Sequence, residues 1–198
     1  MSGTKNNDEA AMALDLPLAD PLPEAIAVTF DKCTSKLGMI PNVLKAYAFD
    51  EAKFSAFSLM YNDLMLAPSG LTKLEREMIA VVVSAVNSCV YCLTAHGAAV
   101  RQLSGDPVLG ETLVHNYRAA KVTAKQRAML DFAHKLTARP AEIEEADRAA
   151  LRAAGFSERD LFDIVAVTGF FNMSNRVAAG TDMHPNRAYH FQAREDQA

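Results

Sequence analysis

The chain has 198 residues, 50% of them hydrophobic and 22% charged, the composition of one globular domain rather than of a disordered or fibrous chain. A formal net charge of -4 and a pI near 5.7 leave no basic excess for nucleic acid and no polybasic stretch for a membrane surface. The longest apolar run, Met78 to Val86 with Ser84 inside it, is about half the ~20 residues that a membrane span needs.

Residues 1–22 mix Ala, Asp, Pro and Asn with no basic region ahead of an apolar stretch, and read as a flexible N-terminal arm rather than a secretory signal. A cytoplasmic location is expected, since three cysteines, two in a C-x-x-C pair, suit a reducing compartment. From residue 23 the punctuation is helical. Cap signals and apolar spacing predict helices near 23–36, 41–49, 50–66, 72–87, 89–103, 107–119, 123–137, 144–154 and 157–179. Capping boxes open three of them, at Thr72 with Glu75, Thr123 with Gln126 and Ser157 with Asp160. Asp106 precedes Pro107, and Asn42 follows Pro41, at two further helix entries. Gly38, Gly105 and Gly155 stand where helices stop. Leu161, Ile164, Val165, Thr168 and Phe171 form one apolar face, and Leu130, Phe132, Ala133 and Leu136 contribute to another. Phe162, Phe170 and Phe171 read as core. No period-two alternation competes, so the predicted class is all-α. Residues 183–198, with His184 and His190, read as a partly ordered tail.

The segment from Leu71, LTKLEREMIAVVVSAVNS, lies on that from Phe156, FSERDLFDIVAVTGFFNM, at an offset of 85 residues. Thr72 falls on Ser157, Glu75 on Asp160, Ile79 on Ile164, Ser84 on Gly169 and Asn87 on Asn172. The shared register reads as an internal duplication of two helical hairpin units, about 71–97 and 156–182. Ser174 and Val177 stand where the first unit has Cys89 and Cys92, so only that unit carries thiol chemistry.

That chemistry sits in Glu77 to His96, EMIAVVVSAVNSCVYCLTAH. Cys89 and Cys92 are three apart and Cys92 and His96 four apart, which places all three on one face of a helix. A helix starting near Cys89 favours a thiolate there through its free amides and dipole. His96, one turn below Cys92, can take its proton. Glu77, twelve residues before Cys89, returns near His96 if the two helices form an antiparallel hairpin. A free thiol is mostly protonated at neutral pH, and a neighbouring Cys converts a sulfenic acid to a disulfide before it over-oxidises.

This C-x-x-C-x-x-x-H pattern with its upstream Glu resembles the core of the AhpD-like alkylhydroperoxidases, in the carboxymuconolactone decarboxylase superfamily. The rest of the chain is similar to that superfamily's peroxidase-related branch, through Ile40-Pro41-Asn42-Val43, Leu151 to Ser157, and Asn172-Met173-Ser174-Asn175-Arg176. The resemblance spans residues 23–182. It implies an AhpD-like helical bundle with an internal duplication, assembled as a homo-oligomer (dimer, trimer or hexamer). It also implies a peroxidase reaction with Cys89, Cys92, His96 and Glu77 as catalytic residues. The partners implied are a peroxide substrate and a dithiol electron donor, thioredoxin-like or lipoyl-bearing. The family motif often has His before the second Cys, where this chain has Tyr91, a group that cannot relay protons at neutral pH and reads as a weak substrate contact or a packing residue. Helix position favours Cys89 as the attacking thiolate and proximity to His96 favours Cys92; the pair reads as Cys92 attacking and Cys89 resolving.

No flavin, haem or nucleotide motif is present, and no cofactor is expected. Zinc usually takes four Cys or His ligands, and His115, His134, His184 and His190 are scattered singly, so no metal site is expected. Cys33 reads as a small core or surface residue. Glu75 and Arg76 read as solvated charges, and the run Glu142, Glu144, Glu145, Asp147 as an acidic face at a helix start. Asn172, Asn175 and Arg176 read as a satisfied polar network or an oligomer contact. Two other functions remain open: an acid–base decarboxylase using His96 and Glu77 without thiol redox, and a non-enzymatic redox-sensing oligomer.

Overall fold

The structure is a computed structural model that describes residues 10–194. The first nine residues of the expected arm and the last four of the tail lie outside the described residues. The helices in chain order are α1 (Glu24–Leu37), α2 (Asn42–Tyr47), α3 (Glu51–Tyr61), α4 (Lys73–Val86), α5 (Val90–Ser104), α6 (Pro107–Asn116), α7 (Ala124–Ala138), α8 (Glu145–Ala153) and α9 (Glu158–Gly180). No strand occurs among the described residues, so the all-α class holds.

Helix starts follow the caps. Thr72, Thr123 and Ser157 each accept from the amide three residues on, while Glu75, Gln126 and Asp160 reach back. Each such cap contributes about 1 kcal/mol. Gly38 and Gly105 end α1 and α5 in the left-handed conformation, at φ 70 and 66, which costs glycine nothing sterically. The predicted helix 50–66 changes character: α3 gives way to a π-helical turn at Asn62–Leu66. Its neighbour Arg76 is buried rather than solvated, and donates to the carbonyls of Leu64 and Ala67.

The core is built around α4, whose Met78–Val83 run is 0–1% exposed. This helix packs against α5, α6, α7 and α9, which explains an apolar run with no clean amphipathic stripe. Helix α9 contributes Leu161, Ile164, Thr168, Phe170 and Phe171 to the buried side. Phe162 and Val165 are not core: they are 67% and 42% exposed, because they fall on the face of α9 turned away from α4. Helix α1 is peripheral, held by Ile26 and Phe30 against Ala48 and Phe54.

Both ends of the chain are tied down within the described residues. Ala13 N–H bonds the Thr181 carbonyl, His184 N–H bonds Ala11, and Met12 is buried. Buried Arg101 on α5 donates to the carbonyls of Tyr189 and Gln192. Asn186 accepts from the Asn42 amide and donates to the Ile40 carbonyl. These long-range polar contacts have no signature in local sequence, which is why both segments read as loose.

Candidate active site

Helices α4 and α5 form the antiparallel hairpin that the spacing predicted. Helix α4 is capped at Asn87; Ser88 then adopts φ 53, and Cys89 is already the N-cap of α5. A turn this short sends α5 back along α4. It brings His96 Nδ1 within 2.6 Å of a Glu77 carboxylate oxygen, with both side chains about nine-tenths buried. With Nδ1–H donating to the carboxylate, Nε2 is left as the acceptor. The imidazole also stands edge-on to Phe171 on α9, centroids 4.6 Å apart, so its orientation is fixed from two sides.

Cys89 and Cys92 are both free, buried thiols in mutual hydrogen-bond contact. Cys89 has its pKa pulled down from 9.0 to about 6, first by the Cys92 thiol, then by the Cys92 amide, the charge of His96 and the Asn175 side chain, against burial. The cap position makes no side-chain hydrogen bond of its own. Cys92 moves the opposite way, because its proton is held by Cys89, it is buried, and the Cys89 charge repels its own. The pair therefore shares one proton, with the negative charge resting on Cys89.

A polar network beside the thiols accounts for the asparagines. Asn175 Nδ2 donates to Ser84 Oγ at 3.0 Å, and Asn87 Nδ2 donates to Asn175 Oδ1 at 2.9 Å and Asn172 Oδ1 at 3.2 Å. Asn172 donates to Thr137 Oγ1 and accepts from Arg176. Asn175 and Ser84 also stand beside Cys92 and favour its charged form. The network reading of these residues holds, and its contact with the thiols is what sequence reasoning missed. Asn at the matching positions 87 and 172 signalled the network, but Asn175, which stands opposite Val90 in that register, carried no signal of its own.

Cys92, Tyr91 and His96 line a cavity of about 700 Å³, walled by α1, α2, α3, α5 and α9. Tyr91 is 5% exposed, and its hydroxyl oxygen accepts from the Val43 amide. Burial holds its pKa well above 10.0, so it packs and anchors α2. Cys33 is half-buried on α1 and faces the same cavity, a placement that spacing did not reveal. His115, His134, His184 and His190 lie away from it. Among the described residues no three His, Cys, Asp or Glu side chains converge as metal ligands, and no helix is long and apolar enough to cross a membrane.

The carboxymuconolactone decarboxylase family pattern matches residues 52–133, a span that includes Glu77, Cys89, Cys92 and His96. A solved structure of an uncharacterized peroxidase-related protein from Silicibacter sp. TM1040 shares 64% identity, covering 97% of this chain and 100% of its own, with a TM-score of 0.91. A second uncharacterized peroxidase-related protein, described as an alkylhydroperoxidase AhpD core and from Ralstonia eutropha JMP134, shares 40% identity over 94% and 98% of the two chains, with a TM-score of 0.90. The debrominase Bmp8, solved with 2,3,4-tribromopyrrole, is 18% identical over 90% and 95% at a TM-score of 0.76, a likeness of fold alone. No curated protein matches the chain.

Proposed function

The chain belongs to the AhpD-like group of the carboxymuconolactone decarboxylase superfamily, and on that premise we propose that it is a thiol peroxidase reducing hydrogen peroxide or organic hydroperoxides through Cys89 and Cys92. The observation that carries this reading is the juxtaposition of two free, buried thiols, Cys89 and Cys92, with an imidazole that Glu77 orients one turn away.

Cys92 is the sulfur that faces the cavity, so it meets the peroxide. His96 Nε2 takes the Cys92 proton. The sulfur attacks the terminal peroxide oxygen, the O–O bond breaks, and the proton goes to the departing alkoxide as ROH. Cys89, already a thiolate, attacks the sulfenic sulfur and expels hydroxide. Two thiol electrons have reduced one O–O bond, and the pair is left as a disulfide. An external dithiol, thioredoxin-like or lipoyl-bearing, restores it by exchange. Glu77 fixes the His96 tautomer and balances its positive charge, the role a carboxylate plays behind an imidazole base. In this reading Tyr91 shapes the cavity without moving a proton.

Two structural expectations are carried forward as part of the proposal. The two hairpin units form one domain over residues 23–182, in which Asn175 of the second unit serves the thiols of the first. The protein is a homo-oligomer, since Phe162, Val165 and Met173 make an exposed apolar stripe along α9 of the kind that marks interaction surfaces. The test is multiple turnover of peroxide with excess dithiol. The native protein turns over, and Cys89→Ser and Cys92→Ser each abolish it. Full turnover in both variants overturns the reading. A γ-carboxylactone consumed by the doubly substituted protein would instead support acid–base chemistry at His96 and Glu77.

A further inference from the structure

We propose that the cavity in front of Cys92 takes the hydroperoxide of a long-chain carboxylic acid, its acyl body on the aromatic walls and its carboxylate at a mouth formed by Lys32, Lys36 and Lys73. The reaction at its other end rests on the function proposed above.

Size excludes hydrogen peroxide as the ligand that shaped this space. A molecule close to water in size fills about 30 Å³, whereas the cavity holds about 700 Å³, within the roughly 300–1,000 Å³ of small organic ligand sites. The wall is apolar, with Leu44, Tyr47, Phe57, Tyr61, Phe170 and Phe171 on it.

Charge gives the ligand's far end. Among the described residues three lysines line the cavity and no Asp or Glu does, in a chain whose net charge is -4. Lys32 and Lys36 are one turn apart on α1 and share a face; Lys73 is the first residue of α4. All three are exposed, and none takes part in an ion pair among the described residues. They present amines to whatever enters.

Length follows from the helix between the two ends. Lys73 opens α4, and Cys92 is the third residue of α5, which runs back along α4 from Cys89. At ~1.5 Å per residue the 14 residues of α4, less one turn of α5, separate Lys73 from the cavity-facing thiol by roughly 16 Å along the helix axis. A ligand that meets both the lysines and the thiol is therefore elongated, an acyl chain rather than a compact ring.

Two polar groups in the wall lack partners among the described residues. Ser58 Oγ and Ser174 Oγ are buried without a hydrogen bond, and both residues line the cavity. Buried hydroxyls are normally satisfied. Ser174 lines the same cavity as Cys92, so its free hydroxyl is placed to donate to the peroxide oxygens. The chemistry is the step already balanced: the hydroperoxide becomes the hydroxy acid, and the thiol pair becomes a disulfide.

The test uses reduced full-length protein. Linoleic acid hydroperoxide, its methyl ester and hydrogen peroxide are mixed with it in turn, and loss of the Cys89–Cys92 thiols is timed by quenching and mass spectrometry. Binding of oleate and of methyl oleate, which cannot oxidise thiols, is measured by calorimetry. The acid is expected to oxidise the pair at least tenfold faster than its ester, and oleate to bind at least tenfold tighter than methyl oleate. Both ratios fall toward one in K32Q/K36Q/K73Q and shrink at high salt. Equal rates and equal binding for acid and ester, with hydrogen peroxide still oxidising the pair, overturn this inference and leave the peroxidase standing. Preferential oleate binding with no oxidation by any peroxide does the reverse: the acid site stands and the peroxidase falls.

Discussion

His96 Nδ1 and a Glu77 carboxylate oxygen lie 2.6 Å apart although 19 residues separate them in the chain. The pair is about nine-tenths buried, where an unpaired charge is costly. Replacing Glu77 by Ala is predicted to destabilise the fold by about 3 kcal/mol, by stranding a buried imidazole. Glu77→Gln keeps a hydrogen-bonding side chain and costs less, yet slows oxidation of the thiol pair about tenfold, because the amide does not balance the imidazolium. His96→Gln removes the base itself and is predicted to cost 10²–10⁴-fold. Urea unfolding and single-turnover thiol loss separate the two effects.

Titration of the thiols has a signature in stability. Cys89 ionises at about 6 in the folded protein against an ordinary 9.0. Its folded pKa is depressed, so between those values the unfolded chain binds more protons and stability rises with pH. Cys92 is shifted upward, so above about pH 9 the unfolded chain loses that proton first and stability falls again. The reduced protein is predicted to gain melting temperature from pH 6 toward 9 relative to C89S/C92S and to lose the advantage beyond it. The disulfide form shows neither limb. Thiolate absorbance should likewise rise through about pH 6 in the native protein, and later in Cys92→Ala, which lacks the group that contributes most to the Cys89 shift.

Asn175 joins the structural network to the thiols. Asn175→Leu removes the donor to the Ser84 hydroxyl and one of the two acceptors of the Asn87 amide, which keeps Asn172, and is predicted to cost about 1–3 kcal/mol. A purely structural role would stop there. Because the Asn175 side chain also favours the Cys89 thiolate, the same variant should raise the pH midpoint of thiolate absorbance.

Ser88 presents Cys89 from a left-handed backbone, φ 53, a conformation that costs a non-glycine residue roughly 1–2 kcal/mol. Ser88→Gly is predicted to be neutral to about 1 kcal/mol stabilising, and Ser88→Val to destabilise by about 1–2 kcal/mol or more. Denaturant midpoints decide it.

Helix starts were legible because a cap is local: Thr72, Thr123 and Ser157 lie within three residues of the groups they bond. The Glu77–His96 pairing was legible because a one-residue turn leaves an antiparallel hairpin one register. Burial was less so. Phe162 is as apolar as Phe171, and only the packing of α9 on α4 distinguishes them. Arg76 looked solvated because its carbonyl partners, Leu64 and Ala67, are freed by the π-helical turn that periodicity does not register. The cavity was the least legible feature. Its walls come from α1, α3, α9 and the tail residue Tyr189, which meet only in the folded chain. The order of thiol acidity was hidden as well, since it depends first on how the two thiols meet each other and then on their burial, both set by the folded chain.

In the proposed reaction Cys89 and Cys92 act together on peroxide. The most direct measurement treats the reduced native protein with one equivalent of peroxide and maps thiols and disulfides by mass spectrometry over time. Fast, selective formation of the Cys89–Cys92 disulfide is expected, with Cys33 still free and one peroxide consumed per pair. Oxidation of all three cysteines at the slow rate of a free thiol, with no preferred disulfide, would contradict it.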